Sequence, residues 1–168
     1  GNYTNRVLSL IDKYYEGKIP NPDNINDNDT KILNEVISEK NDIESNLNQF
    51  KFREALKSLI NIARIGNKYL ADTEPWKIKK ENPERVEQIL KTSFEIVSYL
   101  AVLSEPFIPF TSEKLKKMIG LNKSEWSNLD NLGDEIDFSF TITNKEMLFR
   151  RIEDSEIEFQ ISKLKNDT

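Results

Sequence analysis

Four polar residues near the start of the chain, Asn2, Arg6, Ser9 and Lys13, recur at i, i+4, i+7 and i+11. On a helix turning about 100° per residue this spacing draws them into one stripe. The stripe carries an amide, a guanidinium, a hydroxyl and an ammonium, with no carboxylate inside it. A planar fork of donors next to an amide is suited to hydrogen-bonding the edges of unstacked bases. Trp76, directly after Pro75 at a junction between helices, offers a flat face on which such a base stacks. Each of these residues also has a plain structural reading. An Arg on a polar helical stripe is ordinarily just solvated, and a Trp after Pro is ordinarily a lid over the core. Asn67 and Tyr69, near the end of a helix, are ordinarily a local cap and a core aromatic.

Most other chemistry is removed by what the chain lacks. Of its 168 residues none is Cys or His, which takes away thiolate nucleophiles, disulfides, zinc ribbons, the commonest general base and the commonest metal ligand. The five glycines are isolated and form neither G-x-x-x-x-G-K nor G-x-G-x-x-G, so no phosphate-cradling loop is expected. Carboxylate pairs such as Glu156 and Glu158, or Asp134 and Glu135, lack the D-x-D-x-D-G spacing of a cation loop and read as solvated surface. No catalytic residue, cofactor site or metal site is predicted in this chain.

The elements that must position the polar stripe are helical. Tyr3, Val7, Leu8, Leu10, Ile11, Tyr14 and Tyr15 share the opposite arc of a first helix from Asn2 to about Glu16, closed by Gly17 and kept from resuming by Pro20 and Pro22. Asp27-Asn28-Asp29-Thr30 offers the N-cap of a second helix running to about Asn48. A third, from Phe50 to about Leu70, is interrupted by Asp72-Thr73-Glu74-Pro75. Glu81-Asn82-Pro83-Glu84 opens a fourth, whose wide apolar face through Leu103 marks it as central. Thr111-Ser112-Glu113 caps a shorter fifth helix ending at Gly120. Ile136, Phe138, Phe140 and Ile142 alternate as in a strand; with no partner strand in sight, residues 128–144 are predicted to lie extended against the bundle, with a weak hairpin as the rival. A last helix spans about Asp154 to Leu164. The fold class expected is all-α, an antiparallel bundle of about five helices.

Apolar residues make up 37% of the chain and charged residues 32%, which together describe one modest core under a highly charged surface. The net charge of −5 disfavours indiscriminate nucleic-acid binding. Its distribution is uneven: residues 51–92 hold ten basic and six acidic side chains, whereas 128–168 hold five and ten. A polyanion can therefore still choose one face. No apolar run approaches the roughly 18 to 20 residues of a membrane span, and the first six residues lack the apolar centre of a signal peptide, so a cytoplasmic location is expected.

Taken together, these residues are more specific than any one of them. Gly1-Asn2-Tyr3-Thr4-Asn5-Arg6, then Gly66-Asn67-Lys68-Tyr69-Leu70 leading to Glu74-Pro75-Trp76-Lys77, closely resembles the anticodon-binding domain of the methionyl-tRNA synthetase family. Leu103 to Thr111 (L-S-E-P-F-I-P-F-T), Trp126 with Gly133, and Leu148-Phe149-Arg150-Arg151-Ile152-Glu153 keep the order of that family's later landmarks. The resemblance spans essentially the whole chain. It implies that Trp76 stacks on a base of the C-A-U anticodon, that Asn2 and Arg6 hydrogen-bond to anticodon bases, and that Asn67, Tyr69 and Pro75 support them. It further implies a tRNA partner, a catalytic half in cis, and a full-length ligase that uses ATP and Mg²⁺ to esterify tRNA with methionine for translation. The H-I-G-H and K-M-S-K-S motifs of that half are absent, so the chain is expected to be an excised, non-catalytic C-terminal part. Residues 1–153 are then the bundle, and 154–168 a helix expected to pack toward the missing half. Neither DNA nor a membrane is expected as a partner, and two rivals remain: the same fold in another class I synthetase, and a helical protein-interaction module without RNA binding.

Overall fold

Apolar residues at helical spacing, with prolines confined to the borders, produce a bundle wound about one central helix. The computed structural model describes residues 1–121, 126, 132–144, 146–150 and 152–166, apart from the side chains of Asp134, Lys165 and Asn166. Among these, helix α1 spans Asn2–Tyr15, α2 Asp27–Asn48, α3 Phe52–Thr73, α4 Pro75–Ile78, α5 Pro83–Leu103, α6 Pro109–Met118, α7 Leu132–Glu135 and α8 Asp154–Asn166. The helices read from the sequence are α1, α2, α3, α5 and α6 of the bundle and the last helix, α8; α4 and α7 are single turns that no periodicity announces. Helix α5 touches α1, α2, α3, α4, α6 and α7. It buries residues all round, including Val86, Leu90, Phe94, Val97 and Leu103, as a core helix should. None of the described helices is long and apolar enough to cross a membrane.

The borders correct the sequence reading in physical detail. Asn26, one residue before the expected stretch, caps α2: its Oδ1 accepts from the Asp29 N–H at 2.9 Å, while the Asp29 carboxylate accepts from the Asn26 N–H at 3.3 Å. The reciprocal bond selects Asn26 because an acidic residue stands three positions on. Helix α3 continues past Leu70 to Thr73 and ends where Glu74 takes a left-handed conformation, φ 41°, with its N–H bonded to the Leu70 carbonyl. Pro75, which needs no N–H bond at a first helical position, at once restarts the chain as α4. Helix α6 begins at Pro109, not at a Thr111-Ser112 cap; the Ser112 hydroxyl donates instead to the Ala101 carbonyl at 2.6 Å.

The alternating segment is half as expected. Leu132–Glu135 is helical, and the run after it lies on the bundle with Ile136 and Ile142 buried and Phe138 and Phe140 half-buried. It is not wholly without a partner, because Thr141 forms an antiparallel bridge with Lys18 and Ile142 donates to the Gly17 carbonyl at 2.9 Å. Gly17, at φ 80°, is required there: a Cβ would sit 2.3 Å from the Ile142 oxygen. Residues 128–131 of the expected segment, and Arg151 of the later landmark, lie outside the described residues.

Candidate nucleic-acid interface

The polar stripe of α1 is placed by what its opposite face does. Tyr3 is buried with its ring against Gly66 of α3, where an added Cβ would stand 2.4 Å from Tyr3 Cζ. Its hydroxyl donates to the Ser93 carbonyl of α5 at 3.1 Å, and burial pushes the phenol far above its ordinary pKa. The start of α1 is thereby fixed on α3 and α5, and the stripe faces outward along the end of α3.

On that surface Arg6, Asn67 and Trp76 meet. Arg6 Nη1 donates to Asn67 Oδ1 at 3.3 Å, and Asn67 Nδ2 donates to the Ala63 carbonyl at 2.9 Å, so the amide is oriented from within its own helix. The guanidinium carbon lies 5.6 Å from the centre of the Trp76 ring, within reach of a cation–π contact. No carboxylate pairs with Arg6 among the described residues, so most of its five N–H donors are uncommitted. Trp76 is 41% exposed, too open for a lid over the core. The αL reversal at Glu74 buries Pro75 and turns the indole outward on the first turn of α4.

The other sequence-identified residues fall differently. Asn2, exposed, stands one helical turn ahead of Arg6 on the same stripe, without a hydrogen-bond partner among the described residues. It lies on the rim of an open cavity of about 650 Å³ that Met147 and Phe149 also line. Tyr69 is not on this surface at all. It is buried, and its hydroxyl donates to Asp29 Oδ1 at 2.5 Å. Arg85 closes the same carboxylate from α5 with two parallel hydrogen bonds, one of them 2.8 Å long. Burial alone would raise the Asp29 pKa, but the bonds from Arg85 and Tyr69 outweigh it and hold the carboxyl below the usual range. The Tyr69 phenol is pushed well up by burial and by the carboxylate it serves.

Sequence reasoning missed the Tyr3–Gly66 packing and the Asp29–Arg85–Tyr69 cluster. The first had a signal: a glycine inside a helix costs about 1 kcal/mol relative to alanine and so marks a close approach. The second had none, since Asp29 and Arg85 are 56 positions apart. Among the described residues no group of three or more Asp or Glu side chains is placed to hold a metal ion.

Known proteins share the fold and the sequence of this chain. Among solved structures, the apo methionyl-tRNA synthetase of Mycobacterium tuberculosis superposes with a TM-score of 0.82 at 22% identity, over 91% of this chain and 32% of that one, a likeness of fold. The same enzyme is also known in complex with methionyl-adenylate, with a TM-score of 0.79 over 90% of this chain and 30% of that one. The methionine–tRNA ligase of Bacteroides fragilis strain YCH46 is 45% identical over 164 residues, 98% of this chain and 24% of that protein. That of Flavobacterium psychrophilum is 45% identical over 165 residues, again 98% and 24%. The chain thus spans about a quarter of the length of these curated relatives. Residues 19–166 match the family described as the anticodon binding domain of methionyl tRNA ligase. With a family match over most of its length and relatives this similar, the chain belongs to the anticodon-binding domain family of methionyl-tRNA ligase.

Proposed function

We propose that this chain reads the C-A-U anticodon of methionine tRNA for a longer ligase of which it is one part. In this reading Trp76 stacks on an exposed base, and Arg6 and Asn2 hydrogen-bond to base edges. Asn67 orients Arg6, while Pro75 and the buried Tyr69 hold the two helix ends that carry the cluster. The observation that supports this most is an open tryptophan beside a guanidinium that no carboxylate neutralises among the described residues. ATP and Mg²⁺ are assigned to the rest of the protein, which activates methionine and esterifies it to tRNA in the cytoplasm. Helix α8, whose Ile157, Phe159, Ile161 and Leu164 are exposed, is assigned to contact with that catalytic half in cis.

The test compares full-length wild type and Trp76→Ala for binding of tRNA with C-A-U and with an altered anticodon. Loss of base stacking is worth about 1 to 3 kcal/mol, so the variant should bind cognate tRNA roughly tenfold more weakly or worse, lose discrimination, and keep its melting temperature. A Trp76→Ala protein that unfolds, together with a folded Arg6→Ala protein of undiminished anticodon preference, would overturn the reading.

A further inference from the structure

Half of the polar stripe on α1 is unused by the cluster just described, and it leads somewhere. Lys13 lies seven residues beyond Arg6, two helical turns and about 10 Å along the axis, on nearly the same line. Across from it, Lys79 follows Trp76 by three residues at the end of α4. The contacts that join these two elements at the surface are of one kind. Arg6 sits on Trp76; Lys79 Nζ lies 3.9 Å from the centre of the Tyr15 ring and 5.5 Å from that of Tyr14; Lys13 Nζ lies 5.7 Å from the same Tyr14 ring.

We propose that this seam, with Lys13 and Lys79 seated on Tyr14 and Tyr15, is a phosphate-binding track that holds the RNA backbone beside the base-reading cluster. The proposal rests on the anticodon reading above and adds a second binding site to it. Two ammonium groups sharing one aromatic ring repel each other unless an anion lies near. Among the described residues neither has a carboxylate at ion-pair distance. Several other surface lysines do, including Lys77 on Glu74 at 2.9 Å and Lys117 on Glu113 at 2.6 Å. A ring fixes the position of a cation without consuming its N–H donors, so the track holds its charge in place and leaves it able to bond. A run of about 10 Å spans roughly three nucleotides of a stacked strand, at about 3.4 Å each. Its continuity with Trp76 makes the ligand a phosphodiester next to the stacked base, not a free anion.

The experiment uses the full-length protein with Lys13→Gln, Lys79→Gln, the double variant and Lys79→Arg. Each binds tRNA bearing C-A-U and tRNA bearing an altered anticodon across a salt series. Each Gln substitution should weaken both tRNAs by the same several-fold factor and flatten the dependence of log K on log salt by roughly 0.7 to 0.9 per contact. The preference for C-A-U should not move, and Lys79→Arg, which keeps the charge, should keep the slope. A double variant with wild-type affinity and slope overturns the track while leaving the anticodon reading intact, and so does one that alters only the C-A-U preference. A wild-type protein with no C-A-U preference overturns the anticodon reading, and the track with it.

Discussion

Arg6 and Arg85 are both half-buried, and each lies beside an aromatic residue, yet they are held in opposite ways. Arg85 grips a buried carboxylate with two parallel bonds, and that carboxylate also accepts from the Tyr69 hydroxyl and from the N–H of Asn26, the N-cap of α2. Each lone pair that matters has a donor, and α2, α3 and α5 are tied at one point. Arg6 touches an amide and the face of an indole and, among the described residues, meets no carboxylate. The first arrangement is finished without a ligand. The second is positioned but electrically incomplete, with enough contact to hold its orientation and too little to satisfy its charge, as the proposed reading of RNA bases would require.

The contrast is most sharply tested at its rigid end. Arg85→Ala leaves the Asp29 carboxylate buried and unpaired, a loss of about 3 to 5 kcal/mol, and urea unfolding should show it as the largest effect of any change at either arginine. Gly66→Ala comes next. It forces Tyr3 away from α3 and should cost about 1 to 3 kcal/mol as overpacking does. By shifting α1 against Asn67 it should also blunt anticodon preference, so it links the two regions. Tyr69→Phe removes one bond to a charged acceptor, worth about 1.5 to 3 kcal/mol, and should leave the preference for C-A-U in the folded protein unchanged.

The acid dependence of stability belongs to the Asp29 region. Because the Asp29 pKa is lower folded than unfolded, its contribution is fully present above the ordinary aspartate value of about 3.9 and disappears as pH falls through the depressed one. Unfolding measured from pH 7 downward should therefore show a smaller acid-dependent loss in Asp29→Asn than in wild type, with Arg6→Ala following wild type throughout. The smallest effect expected is that of Arg6→Ala on stability, within about 0.5 kcal/mol as for other surface changes, alongside a clear loss of base discrimination. A large stability loss there would place Arg6 in the same class as Arg85.

Much of this was open to reading before folding. Tyr3, Val7 and Ile11 recur at helical spacing, so α1 and its outward stripe follow from local geometry, and the same holds for the apolar faces of α2, α3 and α5. Trp76 was singled out by its place after Pro75. Helix α4 was not anticipated, because four residues are too few to show a period and the turn depends on Glu74 accepting a left-handed backbone. Tyr69 reads as a core aromatic and it is buried, but its bond to Asp29 is not legible; three-residue spacing from Gly66 fixes a face of α3 and not what lies opposite it.

The amino-acid sequence by itself determined the long helices α1, α2, α3 and α5 and the line along which Asn2, Arg6, Ser9 and Lys13 would fall, since each depends on neighbours within a turn or two. Only the tertiary structure decided which arginine would be neutralised and which left open. Arg85 finds Asp29 across 56 positions and Arg6 finds Asn67 across 61. Contacts at that separation are set by how α1, α2, α3 and α5 pack together, and no local spacing encodes them.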